Sequence, residues 1–591
     1  YCRCRCGRSL HFLLVYYRYH KYVTEYIYRL QIKKRITTNE IIMTVPENEH
    51  ENENEDNDDQ CQHSQTDDSI IIINEPMMQD EEEHQHDHDH DLVDRRSSSL
   101  SSSSSSEVVT VSVPEPEPWE PSGTWWKDAL YFVGPGWLVS IAYIDPGNYQ
   151  ADIQAGATTQ YYLLFTIWWS SILSIYVQVL CVRLGYYTQQ TLAEVQANEF
   201  QQQQSTYKRY FAWFIAEFSV ILTDLPEVIG IGIACNLFFG WPYPIGVLMS
   251  LITTMSFLAT MQYGMHIVEG IIVAFVGIMS VALFVEMSFV KTINTSQLMK
   301  GWIYGFVDVT TDDLFTIAGI LGAVVMPHNL YLHTASVQSR KVVRRDDVVR
   351  KAVWYCSIEP ILPILVSFFV NLAVVAIAAE RVYGTTNAAT VGLTDFCNYF
   401  IGLKGGCLMW GIALLAAGQS SAITTTYTGQ YIMDGFLQIR LPVKVRAIIT
   451  RMVAITPCVI VSIFFPTHLN QMVNIVNASL GFLLPFALLP LIKYNCSEIV
   501  MGHEHASKGI EKIILYSFGV LVWFINAITL PQYIIPTGSG SRSEDQKVMD
   551  WSIEKICWVV FHIVIQVGYA WWNFSCLFTP VMVMTTRHNS I

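Results

Sequence analysis

The chain has 591 residues, of which 51% are hydrophobic and only 15% charged, with a mean hydropathy of +0.30 and a formal net charge of -15. A soluble globular chain carries about 25% charged residues, and the acidity here is local: 19 Asp/Glu and no Lys/Arg lie between Met43 and Asp94, leaving 32 acids against 36 bases elsewhere. A soluble enzyme, a nucleic-acid binder and a disulfide-stapled secreted domain are excluded, and a polytopic protein embedded in a lipid membrane is expected.

Residues 1–42 are basic and Tyr-rich. Their apolar run Leu10–Tyr17 is too short to span a bilayer and lacks a small-residue cleavage site. Met43 is read as the start of the translated chain, which would leave 1–42 outside the protein. Residues 44–94 mix Glu, Asn, Asp and His, and a serine run broken only by Leu100 follows from Ser97 to Ser106. Such composition buries too little apolar surface to offset its ordering entropy, so residues 1–125 are expected to be a disordered cytosolic tail. The stretch His84–His90 carries four His and two Asp. It has the residue types of a loose metal site but reads first as solvated low-complexity chain.

From Trp126 on, apolar runs of span length alternate with short polar loops. The spans are expected at 129–156 (interrupted), 161–183, 211–236, 244–262, 267–290, 314–338 (interrupted), 352–379, 405–427, 445–466, 470–492, 511–534 and 556–583. Each is near or above the roughly 20 residues a helix needs to cross the hydrocarbon. The membrane domain is thus 126–583, with a short tail 584–591. The loop Arg340–Lys351 carries six bases, and the loop 428–445 adds Arg440 and Lys444, with Arg446 at its edge. Both fall on one side in a twelve-span count, so the basic loops and both termini are placed in the cytosol.

Two spans are broken at their centres, span 1 at Asp145-Pro146-Gly147-Asn148 and span 6 at Met326-Pro327-His328-Asn329. Backbone freed at bilayer depth must line a cavity or be buried in protein, and paired interruptions in two halves point to a transport site between inverted repeats. Spans 1 and 6 open two five-span units, a 5+5 arrangement. Asp145 and Asn148 offer hard oxygens and Met326 a soft thioether, a mixture that suits Mn²⁺, Fe²⁺ or a similar divalent ion better than Mg²⁺ or Ca²⁺. In span 3, Glu217, Asp224 and Glu227 are intramembrane carboxyls, and Asp224 and Glu227 share a helix face. His328 and His333 in span 6 add imidazoles that titrate near neutrality. These residues form a candidate proton path.

The stretches Ala142–Asn148 and Gly322–His333 resemble the first and sixth helices of the natural resistance-associated macrophage protein (NRAMP) transporters, proton-coupled divalent-metal symporters with a LeuT-like fold. A third stretch, Ala416-Ala-Gly418-Gln419-Ser420-Ser421 continuing to Phe436, is similar to that family's transport motif after span 8. The resemblance covers about 126–583. It implies that the ion is held by Asp145, Asn148, the backbone carbonyl of Ala323 and the sulfur of Met326, and that Asp145 also takes protons. Where the family places a Gln in span 10, this chain has Asn477, one methylene shorter.

The fold class expected is therefore all-α, LeuT-like, with twelve transmembrane helices and discontinuous helices 1 and 6. The function expected is symport of Mn²⁺ or Fe²⁺ with H⁺ toward the cytosol, without a resident cofactor, enzymatic chemistry or a nucleic-acid partner, in the plasma, endosomal or vacuolar membrane. Two rivals share the scaffold. One is a sodium-coupled amino-acid symporter, whose substrate carboxylate Asp145 would repel; the other is a non-transporting receptor. Among weaker signals, Asn294-Thr-Ser296 is a glycosylation sequon in a loop placed outside, whereas Asn477 and Asn573 head sequons inside spans. Cys397 and Cys407 flank the outer end of span 8 and could pair, but the first reading is two unpaired thiols.

Overall fold

The structure, a computed structural model, describes residues 118–581 apart from 133–135, 137–138, 140–141, 291–292, 401–404, 440 and 535–552. The expectations for 1–117 and for the C-terminal tail lie outside the described residues. Among the described residues the regular structure is helical, and no strand beyond one isolated bridge is present. Span 1 is divided between α1 (Trp125–Phe132) and α2 (Pro146–Thr159). Next come α3 (Leu164–Thr188), the short α4 (Leu192–Gln202) and the 34-residue α5 (Thr206–Phe239). Thr191 and Glu194 form a reciprocal capping box that starts α4. Gly240, at φ +66°, ends α5 in the left-handed conformation that glycine adopts without strain.

The expected loop between spans 4 and 5 is absent. Both lie in one 46-residue helix, α6 (Tyr243–Ser288), about 69 Å at the helical rise. The sequence from Met261 to His266 contains one Gly and no Pro, so no residue there compels a helix to stop. After α7 (Thr295–Tyr304), span 6 is split into α8 (Leu314–Val324) and α9 (Pro327–Ser336), and span 7 into α10 (Asp346–Ile358) and α11 (Ile361–Arg381). The bundle closes with α12 (Gly406–Leu437), α13 (Val443–Phe464), α14 (Leu469–Asn495), α15 (Glu498–Met501), α16 (Gly509–Ile534) and α17 (Ile553–Phe578). Eight described helical segments are long and apolar enough to cross a membrane, and they coincide with expected spans 2, 3, 6, 7, 8, 9, 10 and 11.

The most extensive packing joins α5 to α12, α8 to α14 and α2 to α11. Small residues make this possible, as membrane helices lack a hydrophobic drive to associate and depend on close van der Waals fit. A Cβ on Gly322 of α8 would overlap the Asn477 carbonyl oxygen and the Gly481 amide of α14, and one on Gly481 would overlap the Ala318 carbonyl oxygen. These two helices therefore meet backbone to backbone at the level of the span 6 break.

The tail expected to run to residue 125 already engages the bundle at Trp119. Its N–H donates to the Lys341 carbonyl at 2.9 Å, and the Val343 N–H donates to the Trp119 carbonyl at 3.2 Å. The indole is buried edge-on to Phe132 and Tyr355, within a cluster that includes Val182, Tyr186 and Cys356. Asp128 accepts from the Ser122 N–H at 2.9 Å and starts α1. This strap ties the first half of span 1 to the basic loop before α10. Trp119→Ala removes the indole from that cluster, so maleimide labelling of the buried Cys356, read by peptide mass spectrometry, should accelerate by about tenfold or more, the scale of removing a large buried side chain. An unchanged labelling rate would show that the strap does not seal this face.

Candidate metal site and its proton-carrying surroundings

Proline creates both breaks by the same route. A helical carbonyl accepts from the N–H four residues on, and residues 146 and 327 have none, so Ala142 and Ala323 lose that partner. Beyond the first break, Asp145 (φ -123°, ψ 165°) caps α2. Its Oδ1 accepts from the Asn148 backbone N–H at 2.8 Å and from the Asn148 Nδ2 at 2.6 Å, which locks the two candidate oxygen ligands together. At the second break Val325 and Met326 leave helical geometry, and Met326 is extended (φ -67°, ψ 128°). Asp145, Asn148, Ala323, Met326 and Asn477 are all buried.

Asn477 joins the two breaks. Its Nδ2 donates to the Gly147 carbonyl at 2.8 Å, while its own carbonyl faces Gly322 of α8. The shorter side chain thus reaches the span 1 break through the backbone of Gly147. A cavity of about 130 Å³ lies beside it, lined by Gln154, Thr316, Gly319, Ala389, Asn474 and Asn477. At about 30 Å³ per water, it has room for an ion carrying a few waters. The segment around Ala389 is held over this side of the bundle: the Leu393 N–H donates to Gln150 Oε1 at 3.0 Å, and Trp410 Nε1 donates to the Leu393 carbonyl at 3.0 Å. Cys397 and Cys407 are joined in a disulfide.

The two histidines present the same face to their surroundings. Thr223 Oγ1 spends its proton on the Ser219 carbonyl at 2.9 Å, so at 3.1 Å it accepts from His328 Nδ1. Gln178 Nε2 donates to the Tyr143 hydroxyl at 2.8 Å, which leaves Gln178 Oε1 to accept from His333 Nδ1 at 2.6 Å. Both rings are thereby assigned as the Nδ1–H tautomer, and both Nε2 atoms are buried without a hydrogen-bond partner among the described residues. His333 is linked through Gln178 to Tyr143, two residues before Asp145.

Span 3 is not a row of isolated acids. Arg451 of α13, itself buried, donates to Glu227 Oε2 at 3.0 Å and lies 3.9 Å from Asp224 Oδ1. Glu217 pairs with Arg446. Gly230 brings this helix to the first break, since a Cβ there would stand 2.8 Å from Pro146 Cγ. Gly418 faces the Glu227 carbonyl, Gln419 Nε2 donates to Thr253 Oγ1 at 2.5 Å, and Ser420 Oγ donates to the Ala417 carbonyl at 3.0 Å. The stretch around Gly418 therefore seats α12 on α5 and α6. Asn294 is exposed and caps α7, with its Oδ1 accepting from the Ser296 and Gln297 N–H groups.

Residues 136–532 match the family profile described as natural resistance-associated macrophage protein-like. The chain belongs to the Nramp family. It is 37% identical over 429 residues to the metal transporter Nramp2 of Populus trichocarpa, covering 70% of this chain and 78% of that one. It is 34% identical over 432 residues to the metal transporter nramp1 homolog of Dictyostelium discoideum, covering 72% and 78%. The crystal structure of the Eremococcus coleocola manganese transporter with an aromatic bis-isothiourea substituted compound is similar at a TM-score of 0.66 and 26% identity, covering 78% of this chain and 97% of that one. The all-α membrane fold expected from the motifs is the fold of this Nramp chain, a multi-pass membrane transporter and not an enzyme.

Arg451 is the residue that sequence reasoning missed in this Nramp site. Its signal was an Arg inside the apolar run 445–466, beyond Arg446 at the edge of that run, and a charge buried there needs a partner. Arg451→Met strands Glu227 and Asp224 without their countercharge, a change that costs about 3–5 kcal/mol when one partner of a buried pair is removed. The melting temperature of the purified protein should fall, and Arg451→Met combined with Asp224→Asn and Glu227→Gln should recover most of the loss. A single variant as stable as the native protein would show that the pair does not hold α13 to α5.

Proposed function

We propose that this protein is a proton-coupled symporter that carries Mn²⁺ or Fe²⁺ into the cytosol. The observation that carries the reading is the buried junction at Asn477, where a carboxylate-capped break in span 1 and a thioether-bearing break in span 6 are packed on one helix. Asp145 and Asn148 would supply hard oxygens, Ala323 a carbonyl without its helical partner, and Met326 the sulfur. Asn477 would complete the set through its side-chain oxygen Oδ1, while its Nδ2 donates to the Gly147 carbonyl. Oxygens alone do not disfavour hard cations, so the sulfur is assigned the discrimination against Ca²⁺ and Mg²⁺.

Protons are assigned a separate route on the same frame. Asp145 would take up both species, and Asp224 and Glu227, held against Arg451, would pass the proton onward, with Glu217 and Arg446 beyond. The bare Nε2 atoms of His328 and His333 are acceptors on the span 6 side. By the charge of Arg340–Lys351 the basic end faces the cytosol, in a plasma, endosomal or vacuolar membrane. Asn294 would then be glycosylated from the other side, and the acidic, His-rich tail would lie in the cytosol. Uptake of Mn²⁺, Fe²⁺, Ca²⁺ and Mg²⁺ into proteoliposomes, with and without a pH gradient, tests the reading; amino-acid uptake that depends on Na⁺ would replace it.

Met326→Ala should retain Mn²⁺ transport and admit Ca²⁺ or Mg²⁺. Unchanged exclusion of Ca²⁺ in competition assays would remove the sulfur from the selectivity argument.

Asp145→Ala should abolish metal binding, since it takes away the carboxylate and the cap of α2 together. Asp224→Asn keeps volume and polarity but cannot accept a proton, so metal binding should stay within a few-fold. Metal-stimulated acidification should then disappear, and uptake should no longer accelerate with a pH gradient. Loss of metal binding with pH-stimulated flux intact would take span 3 out of the proton path.

A further inference from the structure

A second cavity, of about 610 Å³, lies where the ends of α14 and α17 meet the start of α16, and the ion path makes no use of it. Its size falls in the range of small-molecule sites, roughly 300–1,000 Å³. Its wall includes Glu498, Ser507, Lys508, Lys512, Tyr516 and Phe578. The connection that forms one side, 496–508, touches the start of α10: His505 Nε2 and Asp346 Oδ1 are 2.8 Å apart, and Arg350 lies between Asp346 and Glu504. The cavity therefore sits at the end of the bundle that carries the basic loop Arg340–Lys351.

We infer that this cavity binds an anionic phospholipid of the adjoining leaflet, with the headgroup phosphate between Lys508, Lys512 and the first turn of α16. The donor set fits a phosphate. Lys512 has no carboxylate within 4.0 Å among the described residues and is set 6.0 Å from the Tyr516 ring. Lys508 shares Glu498 Oε1 at 3.0 Å in a half-exposed pair, which is weakly held and free to exchange. The third lysine of the wall, Lys493, is committed to Glu199 and to the Cys576 carbonyl and is not counted. Between the two available lysines begins the 26-residue helix α16, whose first N–H groups have no helical acceptor and form a positive end. Ser507 is buried in the same wall, with its hydroxyl beside the Glu511 carboxylate.

The mouth of the cavity is lipid-facing. Ile510 and Ile513 on the first turns of α16 are 77% and 67% exposed, and Phe578 at the end of α17 is 70% exposed. Apolar side chains so placed on a membrane helix meet acyl chains, not water, so the ligand enters with its tails along α16 and α17 and its charge inward. Basic pockets between helix ends on the cytoplasmic side suit the anionic headgroups concentrated in that leaflet. The chain following the wall residue Val581 is the other occupant to weigh. Residues 582–591 carry Arg587 and no Asp or Glu, which opposes the charge of the lysines.

Native mass spectrometry of the full-length protein in mild detergent, titrated with phosphatidylserine or phosphatidylcholine of identical acyl chains, tests the assignment. Phosphatidylserine should be retained at one copy and at least about tenfold more tightly than phosphatidylcholine, the scale of two lysine–headgroup contacts. Lys508→Gln with Lys512→Gln should abolish that preference, and the paired Lys→Arg variant should keep it. Equal retention of the two lipids, or an undiminished preference in the Gln variant, would overturn the site. Full displacement by water-soluble glycerophosphoserine would overturn the lipid assignment in favour of a soluble anion, and a preference that appears only after deletion of 582–591 would make the tail the native occupant. An unchanged melting temperature of the Gln variant in the same detergent confirms that the bundle is intact, so this experiment stands whichever ion the protein carries.

Discussion

Within a bilayer a backbone carbonyl has no water to turn to, so an unpaired one must be buried in protein or turned toward a cavity. Pro146 and Pro327 impose that condition twice, each removing the N–H that a carbonyl four residues earlier would use. The rest of the architecture can be understood as the means of holding two such breaks at depth. Asp145 and Asn148 restore order beyond the first break by capping α2 with a side chain. The second break has no side-chain cap, and α14 pressed against α8 supports it instead. That support exists only because Gly322 and Gly481 allow the two backbones to meet.

Charge is organised around the same breaks but kept apart from them. The carboxylates of span 3 are bound by arginines of span 9, Glu227 and Asp224 by Arg451 and Glu217 by Arg446. Arg451 faces two carboxylates, so one can be neutralised while the other still balances the guanidinium in a medium of low dielectric. Gly230 lets this paired column run directly past Pro146. Asp145 and Asp224 therefore lie on neighbouring helices, so the proposed metal site and the proposed proton route would run side by side. The histidines of span 6 are tuned by neutral partners instead: Thr223 and Gln178 determine which ring nitrogen stays bare.

Much of this was legible in the sequence because the strongest signals were local. Run length and hydropathy are enough to place most of the spans, and a Pro set among polar residues marks the breaks of spans 1 and 6, whereas Pro457, Pro485 and Pro490 lie within continuous helices. Asp145, Asn148 and Met326 stood out because polar and soft ligands beside a break are rare in an apolar span. The separation of spans 4 and 5 was not legible: hydropathy dips near Met261–His266, but a helix ends only where its hydrogen bonds are interrupted, and no residue there interrupts them. The boundary of the tail was misplaced for the opposite reason. Pro118–Thr124 looks like linker chain, yet Trp119 finds a buried site on Phe132 and Tyr355 that composition cannot reveal.

The sequence by itself determined that this chain lives in a membrane, where its helices break and which residue types stand at the breaks, since all three follow from contacts within about one turn of chain. Only the tertiary structure decided the partners: Arg451 for Glu227, Gly147 for Asn477, Gln178 for His333, and the Cys397–Cys407 bridge. Their separations in sequence run from ten residues to more than three hundred. The backbone must bring such groups together before a hydrogen bond, an ion pair or a disulfide can form, and no pattern read along the chain records that approach.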